Sequence, residues 1–177
     1  MLRLLESRGH LVVEEAATDV IALEHALGHD EPWAVPEFID AIVALQRQRQ
    51  TRLAARATAT VFFDRSPVCT LALSRFLGFA LSPLLAAELA RIAAARIYHP
   101  AVFFVRNLGT IEPTAARRIS YQDSLAFEQV HEDTYRELGF QLIDVPPVSL
   151  SARADLIERA IWPAGVPERP SARFSEG

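Results

Sequence analysis

Three short stretches carry residues whose types and spacing could do chemistry. The first is Val61-Phe62-Phe63-Asp64-Arg65-Ser66, an apolar run that ends in an acid followed by an arginine. In open α/β sheets, ligands bind in the crevice beyond the carboxyl ends of the strands. An acid in that position, Asp64, can hold Mg²⁺ beside a nucleotide's phosphates, directly or through water. Arg65 can pair with a phosphate or with the acid itself. A strand that simply ends in a solvated Asp-Arg turn is the plain alternative. The second stretch, Val12-Val13-Glu14-Glu15-Ala16-Ala17, again sets acids at the end of an apolar run. Glu15 there could accept a proton from a substrate hydroxyl or anchor a substrate. Both acids would also suit the first turn of a following helix through its dipole. The third runs from Arg106 to Arg118 and contains Gly109 and Pro113 before the pair Arg117-Arg118. An arginine-bearing lid of this kind could cover a triphosphate and stabilise developing charge. Two arginines on a solvated helix start would look the same.

Positioning these residues requires strands and helices in alternation. Leu11–Val13, Thr60–Phe63, Ala101–Val105 and Phe140–Val145 read as strands, and the middle two are continuously apolar, as expected for strands buried on both faces. Helical patterns occupy residues 16–28, 37–57, 82–97 and 123–138, and residues 2–8 look like the last turns of a helix that runs out at Gly9. Ser82-Pro83 supplies a cap followed by proline at the first helical position, and Asp123 opens the fourth pattern. This order predicts an α/β layered fold with a mainly parallel sheet. Residues 1–161 form the domain, and 162–177, with three prolines and two glycines, read as a flexible tail.

The rest of the composition narrows the field. A chain of 177 residues, half of them hydrophobic, makes one ordinary domain with a real core. A net charge of −4 argues against nucleic acid and against an anionic membrane surface as partners. One cysteine, Cys69, allows no internal disulfide, and its apolar surroundings suggest a small buried residue rather than a nucleophile. With no signal-peptide pattern and no apolar run of membrane-spanning length, the expected compartment is the cytoplasm. All 18 basic residues are arginine, which excludes a lysine base, a Schiff-base lysine and a phosphate-loop lysine from this chain. His25 and His29 have i, i+4 spacing but lack the glutamate that a zinc-binding helix places after the first histidine. His131 and Tyr135 share a helical face and read as surface or satisfied residues. The run Gln46–Arg52 reads as the solvated face of a helix.

In order and spacing, Arg8–Ala17, Val61–Arg65, Ala101–Val105, Arg117-Arg118 and Tyr135–Phe140 before Asp144-Val145-Pro146 resemble the AAA-type P-loop NTPases of the NadR-like domain family. That family is related in fold to small-molecule kinases, and the likeness spans roughly residues 2–160. It implies a three-layer parallel sheet with helices on both faces, bound ATP or GTP with Mg²⁺, and a small-molecule phosphoryl acceptor. It further implies that Glu15 is the acid after the family's second strand, that Asp64 is the Mg²⁺-associated acid, and that Arg117 and Arg118 are lid arginines. Two departures stand out. Thr18 occupies the place where the family usually has an arginine, and the phosphate loop is missing. That loop needs two glycines spaced G-x-x-x-x-G followed by lysine, and glycines 9, 28, 78, 109, 139, 165 and 177 provide no such pair. The expectation is a domain whose first strand and loop lie upstream of Met1, in about 15 further residues. The sequence leaves open a non-catalytic remnant of the fold and a nucleotide-hydrolysing switch. It does not determine the oligomeric state.

Overall fold

The structure, a computed structural model, describes residues 1–54, 60–106 and 121–162. Its elements follow the expected alternation. Helix α1 (Leu2–Ser7) leads into β1 (Leu11–Val13), then come α2 (Ala17–Ala26), a 3₁₀ turn (Pro32–Ala34), α3 (Glu37–Ala54) and β2 (Val61–Phe63). After these come α4 (Pro67–Phe76), α5 (Pro83–Ala94), β3 (Ala101–Val105), α6 (Tyr121–Glu137), β4 (Gln141–Val145) and α7 (Leu150–Ile161).

Local chemistry sets the boundaries. Ser66, Ser82 and Ser149 each sit at a helix N-cap and accept a backbone N–H from the first turn, of Val68, Leu85 and Ala152 respectively. Pro67 and Pro83 follow two of these caps, where their missing N–H is no loss. Gly139 ends α6 with φ +82°, a left-handed turn that lets the Phe140 N–H reach back 3.0 Å to the Tyr135 carbonyl. The chain therefore reverses directly into β4. Gly9 does the same between α1 and β1 at φ +88°.

Strand pairing is parallel throughout the described residues, in two separate pairs. β1 pairs with β2 through Leu11↔Val61, Val12↔Phe62 and Val13↔Phe63. β3 pairs with β4 from Ala101↔Gln141 to Val105↔Val145. No ladder joins β2 to β3 among the described residues. The contact between the pairs is made by side chains. Val12, Phe62 and Phe103 all pack on the cluster of Leu5, Val145, Ala154 and Ile157, supplied by α1, β4 and α7. Val102 and Leu142, which point the opposite way along their strands, pack on Val68, Cys69, Ile92 and Tyr135 of α4, α5 and α6. A third cluster, built around Ile42, Val43 and Leu85, joins α2, α3, α4 and α5.

Two expectations need correction. β2 and β3 were expected to be buried on both faces, but β2 is half-buried along its whole length and β3 is fully buried only at Phe104. Each strand has a single hydrogen-bonded neighbour among the described residues, so each behaves as an edge. The second correction concerns Gln46–Arg52. Gln46 accepts a hydrogen bond from Thr70 at 2.9 Å, Gln50 is buried and accepts from Arg91 at 2.8 Å, and Arg49 reaches the end of β1. Gln46 and Gln50, one helical turn apart, face α4 and α5, and each is matched by a polar partner there.

Candidate functional site

The carboxyl ends of β1 and β2 lie side by side. The Asp64 N–H donates to the Val13 carbonyl at 2.8 Å, which carries the ladder one residue past β2 and sets Asp64 beside the Glu14-Glu15 turn. Asp64 and Arg65 are exposed. Arg65 adopts φ +74°, a left-handed conformation that is uncommon outside glycine and strained for a residue with a Cβ. That turn swings its side chain across the strand ends. Its Nε lies 3.7 Å from Oε1 of Glu15, and its Nη1 lies 3.3 Å from Nε2 of His131 on α6. Glu15, Asp64 and Arg65 are thereby brought to one place, as the sequence suggests.

Glu15 is held from two further directions. Thr18 donates its hydroxyl to Oε2 of Glu15 at 2.9 Å. A cation arrives from α3, where Arg49 Nη1 donates to the carbonyls of Glu14 at 3.0 Å and Glu15 at 2.8 Å and its Nη2 pairs with Asp19. Glu14 itself pairs with Arg3. Arg49 was not visible in the sequence as a site residue, because its signal is an arginine inside a Gln/Arg run and its target lies more than thirty residues away.

Behind Arg65 lies a buried cluster that sequence reasoning treated as background. The Tyr135 hydroxyl sits 2.9 Å from Oγ of Ser66 and 3.0 Å from Sγ of Cys69. His131 donates from Nδ1 to the Phe127 carbonyl at 2.9 Å. Cys69, His131 and Tyr135 are all buried. Burial alone would raise the Cys69 thiol, but its hydrogen bond with His131, the Arg65 charge and the Tyr135 hydroxyl outweigh it and bring the thiol down to about 6. Burial, followed by the nearby sulfur, pushes Tyr135 well above the usual phenol range.

Arg106 follows β3 and sits at the end of the other strand pair. Its guanidinium faces Glu132 at 2.6 Å, Asp144 at 2.7 Å and Glu128 at 3.3 Å, and it lies 4.7 Å over the Phe104 ring. With three carboxylates around one cation, the net local charge is negative, which makes this a poor seat for phosphate in the geometry seen. Arg117 and Arg118 lie outside the described residues, as does the chain beyond Trp162.

The donor set discriminates between the two implied ligands. Among the described residues no group of three or more His, Cys, Asp and Glu side chains converges as a metal cage. A single exposed carboxylate at a strand end suits Mg²⁺, which keeps its waters and takes most of its remaining ligands from phosphates. It would not suit zinc, and His25 and His29 turn instead to the Asp30 carbonyl and to Glu24. A triphosphate is less well served, since this chain has neither the lysine nor the glycine spacing of a phosphate loop.

Parallel strands that feed helices, with acids at the carboxyl ends of two adjacent strands, define an α/β domain. The chain belongs to the AAA domain family, whose model matches residues 1–153, and so to the P-loop nucleotide-binding domains. No curated protein and no solved structure matches it. No helix among the described residues is long and apolar enough to cross a membrane.

Proposed function

We propose that this is a nucleotide-binding domain of kinase type, whose phosphate loop is carried on a further strand that belongs between β2 and β3. The observation that supports this reading is the state of those two strands. Both are apolar runs of the kind found buried on two faces, yet among the described residues each is hydrogen-bonded on one side only and stands half-exposed, with side-chain packing alone between the pairs. A fifth parallel strand would complete both ladders at once. Its carboxyl end would emerge beside Asp64, where a glycine-rich turn could meet the Mg²⁺-bound phosphates.

In that domain Asp64 would help hold Mg²⁺ beside the phosphates of ATP or GTP, where such an ion would supply charge neutralisation. Glu15, steadied by Thr18 and facing Arg65, contacts or deprotonates the hydroxyl of a small-molecule acceptor. Arg65 stands within reach of both acceptor and phosphate, while Arg117 and Arg118 would cover the phosphates from the lid. Catalysis would rest on positioning and charge stabilisation. The absence of any lysine favours a second reading, a non-catalytic module that retains the fold.

The coding DNA separates the two. Reading upstream of Met1 in frame should reveal an apolar run of about five residues followed by G-x-x-x-x-G-K-[ST]. A stop codon close before Met1, with no such loop encoded, would sink the kinase reading and leave the non-catalytic one.

A further inference from the structure

The Arg65 side chain joins the strand ends to α6, touching Glu15 at one point and His131 at another. We propose that His131 is a positioning residue of the strand-end site, whose neutral ring, protonated on Nδ1, holds the Arg65 guanidinium through the Nε2 lone pair. Nδ1 of His131 lies 2.9 Å from the Phe127 carbonyl, one turn back along α6. A carbonyl oxygen only accepts, so the proton of that bond sits on Nδ1. Nε2 lies 3.3 Å from Nη1 of Arg65. A guanidinium only donates, so Nε2 presents its lone pair. The two partners together admit one state of the ring, the neutral Nδ1–H tautomer, because a proton on Nε2 would face another N–H. Turning the ring over about its Cβ–Cγ bond would set carbon against both partners and forfeit both hydrogen bonds.

The surroundings of His131 fix the ring in place. It is buried, with the Phe127 ring edge-on at 4.2 Å and Phe76 packed on Phe127 in turn at 4.7 Å. One turn further along α6, the Tyr135 hydroxyl lies 2.9 Å from Oγ of Ser66, the N-cap of α4 and the residue directly after Arg65. The fold therefore sets how far the imidazole stands from the turn that carries Arg65. Arg65 is exposed, and its ion pair with Glu15 at 3.7 Å is a weak restraint on a long side chain. The hydrogen bond to His131 supplies the second fixed point. Cys69 faces the same ring and is the rival for Nε2. A proton on Nε2 would serve the sulfur but would set that N–H against the Arg65 N–H, and the sulfur already has the Tyr135 hydroxyl at 3.0 Å. The pull of His131 on the thiol belongs to a ring that carries both protons, whereas the neutral ring gives Nε2 to Arg65. What a fixed Arg65 does for an acceptor or a phosphate rests on the proposed function, and the hydrogen bond that fixes it does not.

The test is nitrogen NMR of the imidazole rings in the folded full chain at about pH 8, above the ordinary histidine range. His131→Gln assigns the His131 signals among the five histidines. Nδ1 should appear as a protonated nitrogen and Nε2 as an unprotonated one. Arg65→Met should move the Nε2 resonance toward that of a ring nitrogen with no donor and leave Nδ1 in place. A proton on Nε2, alone or together with one on Nδ1, overturns the proposal, and so does an Nε2 resonance that Arg65→Met leaves unmoved. Positioning has its own readout in the exchange of the Arg65 Nε–H with water. His131→Leu should quicken that exchange about tenfold, the loss of one hydrogen bond to a charged group. His131→Gln, whose amide oxygen can accept in place of Nε2, should restore most of the protection. Equal exchange in the parent and both variants would mean that Glu15 alone holds Arg65, and would overturn the positioning role. None of these measurements involves nucleotide, so failure here is distinct from failure of the P-loop reading.

Discussion

Replacing Glu88 by alanine should destabilise the fold by about 3–4 kcal/mol. Glu88 lies on α5 with 1% of its surface exposed, among the helices of the α3–α4–α5 layer. Its two carboxylate oxygens accept from Nε and Nη2 of Arg91 at 2.8 and 2.7 Å, and Arg91 also donates to Gln50 at 2.8 Å. Arg47 approaches the same carboxylate at 3.8 Å from the surface. Removing the acid leaves the Arg91 guanidinium partly buried with only the neutral Gln50 to answer it and opens a cavity where the side chain stood, and both effects act in one direction. A double variant, Glu88→Leu with Arg91→Met, should recover most of the loss, because a buried ion pair rarely outperforms well-packed apolar groups of similar volume. Urea unfolding with an unchanged m value would measure both. A single variant within about 0.5 kcal/mol of the parent would mean that water reaches the pair.

Arg106→Ala should have the next largest effect, about 2–3 kcal/mol at pH 7, discounted from the fully buried case because Arg106 retains 28% side-chain exposure. Arg106 ties the end of β3 to α6 through Glu128 and Glu132 and to β4 through Asp144. The hydrogen bond from Arg106, joined by Arg136 and opposed by partial burial, holds the Glu132 carboxyl below the usual carboxylate range. A carboxyl depressed in the folded state adds stability that is fully present above its unfolded value, about 4.3, and is lost as pH falls through the lower folded value. The gap between parent and variant should therefore be widest near neutrality and narrow below about pH 4. Chemical denaturation at pH 3.5 and pH 7 would show this, and a gap independent of pH would assign the loss to packing over the Phe104 ring.

The parts of the fold legible in the sequence are those written locally. The serine cap before Pro83, the glycine stops at 28 and 139, and the short apolar runs placed every strand and most of the helices within a few residues. The candidate site was legible to the same extent, since Glu15, Asp64 and Arg65 announce themselves by lying at strand ends. What the sequence hid was long-range pairing. Thr18 looked like a departure from a pattern, and only the fold shows Arg49 arriving from α3 to supply a cation at the Glu14-Glu15 turn. Likewise, Gln50 and Glu88 are polar letters on helices that would ordinarily face water, and both are buried because Arg91 on α5 bonds to Gln50 across the helix contact and to Glu88 one turn along its own helix. The continuous apolar character of β2 and β3 predicted two covered faces and two ladder partners. Half of that environment is missing among the described residues, and this mismatch is what directs attention to the space between the strands.

On the proposed function, this domain binds nucleotide through a strand and loop that complete the sheet between β2 and β3. Calorimetric titration of Mg²⁺-ATP and Mg²⁺-GTP into two proteins tests it most directly, one of residues 1–177 and one extended by the codons upstream of Met1. The extended chain should bind one of the nucleotides with a dissociation constant in the micromolar range, and residues 1–177 should bind at least about 100-fold more weakly, a difference of about 2.7 kcal/mol. Equally tight, low-micromolar binding by residues 1–177 alone would contradict the account.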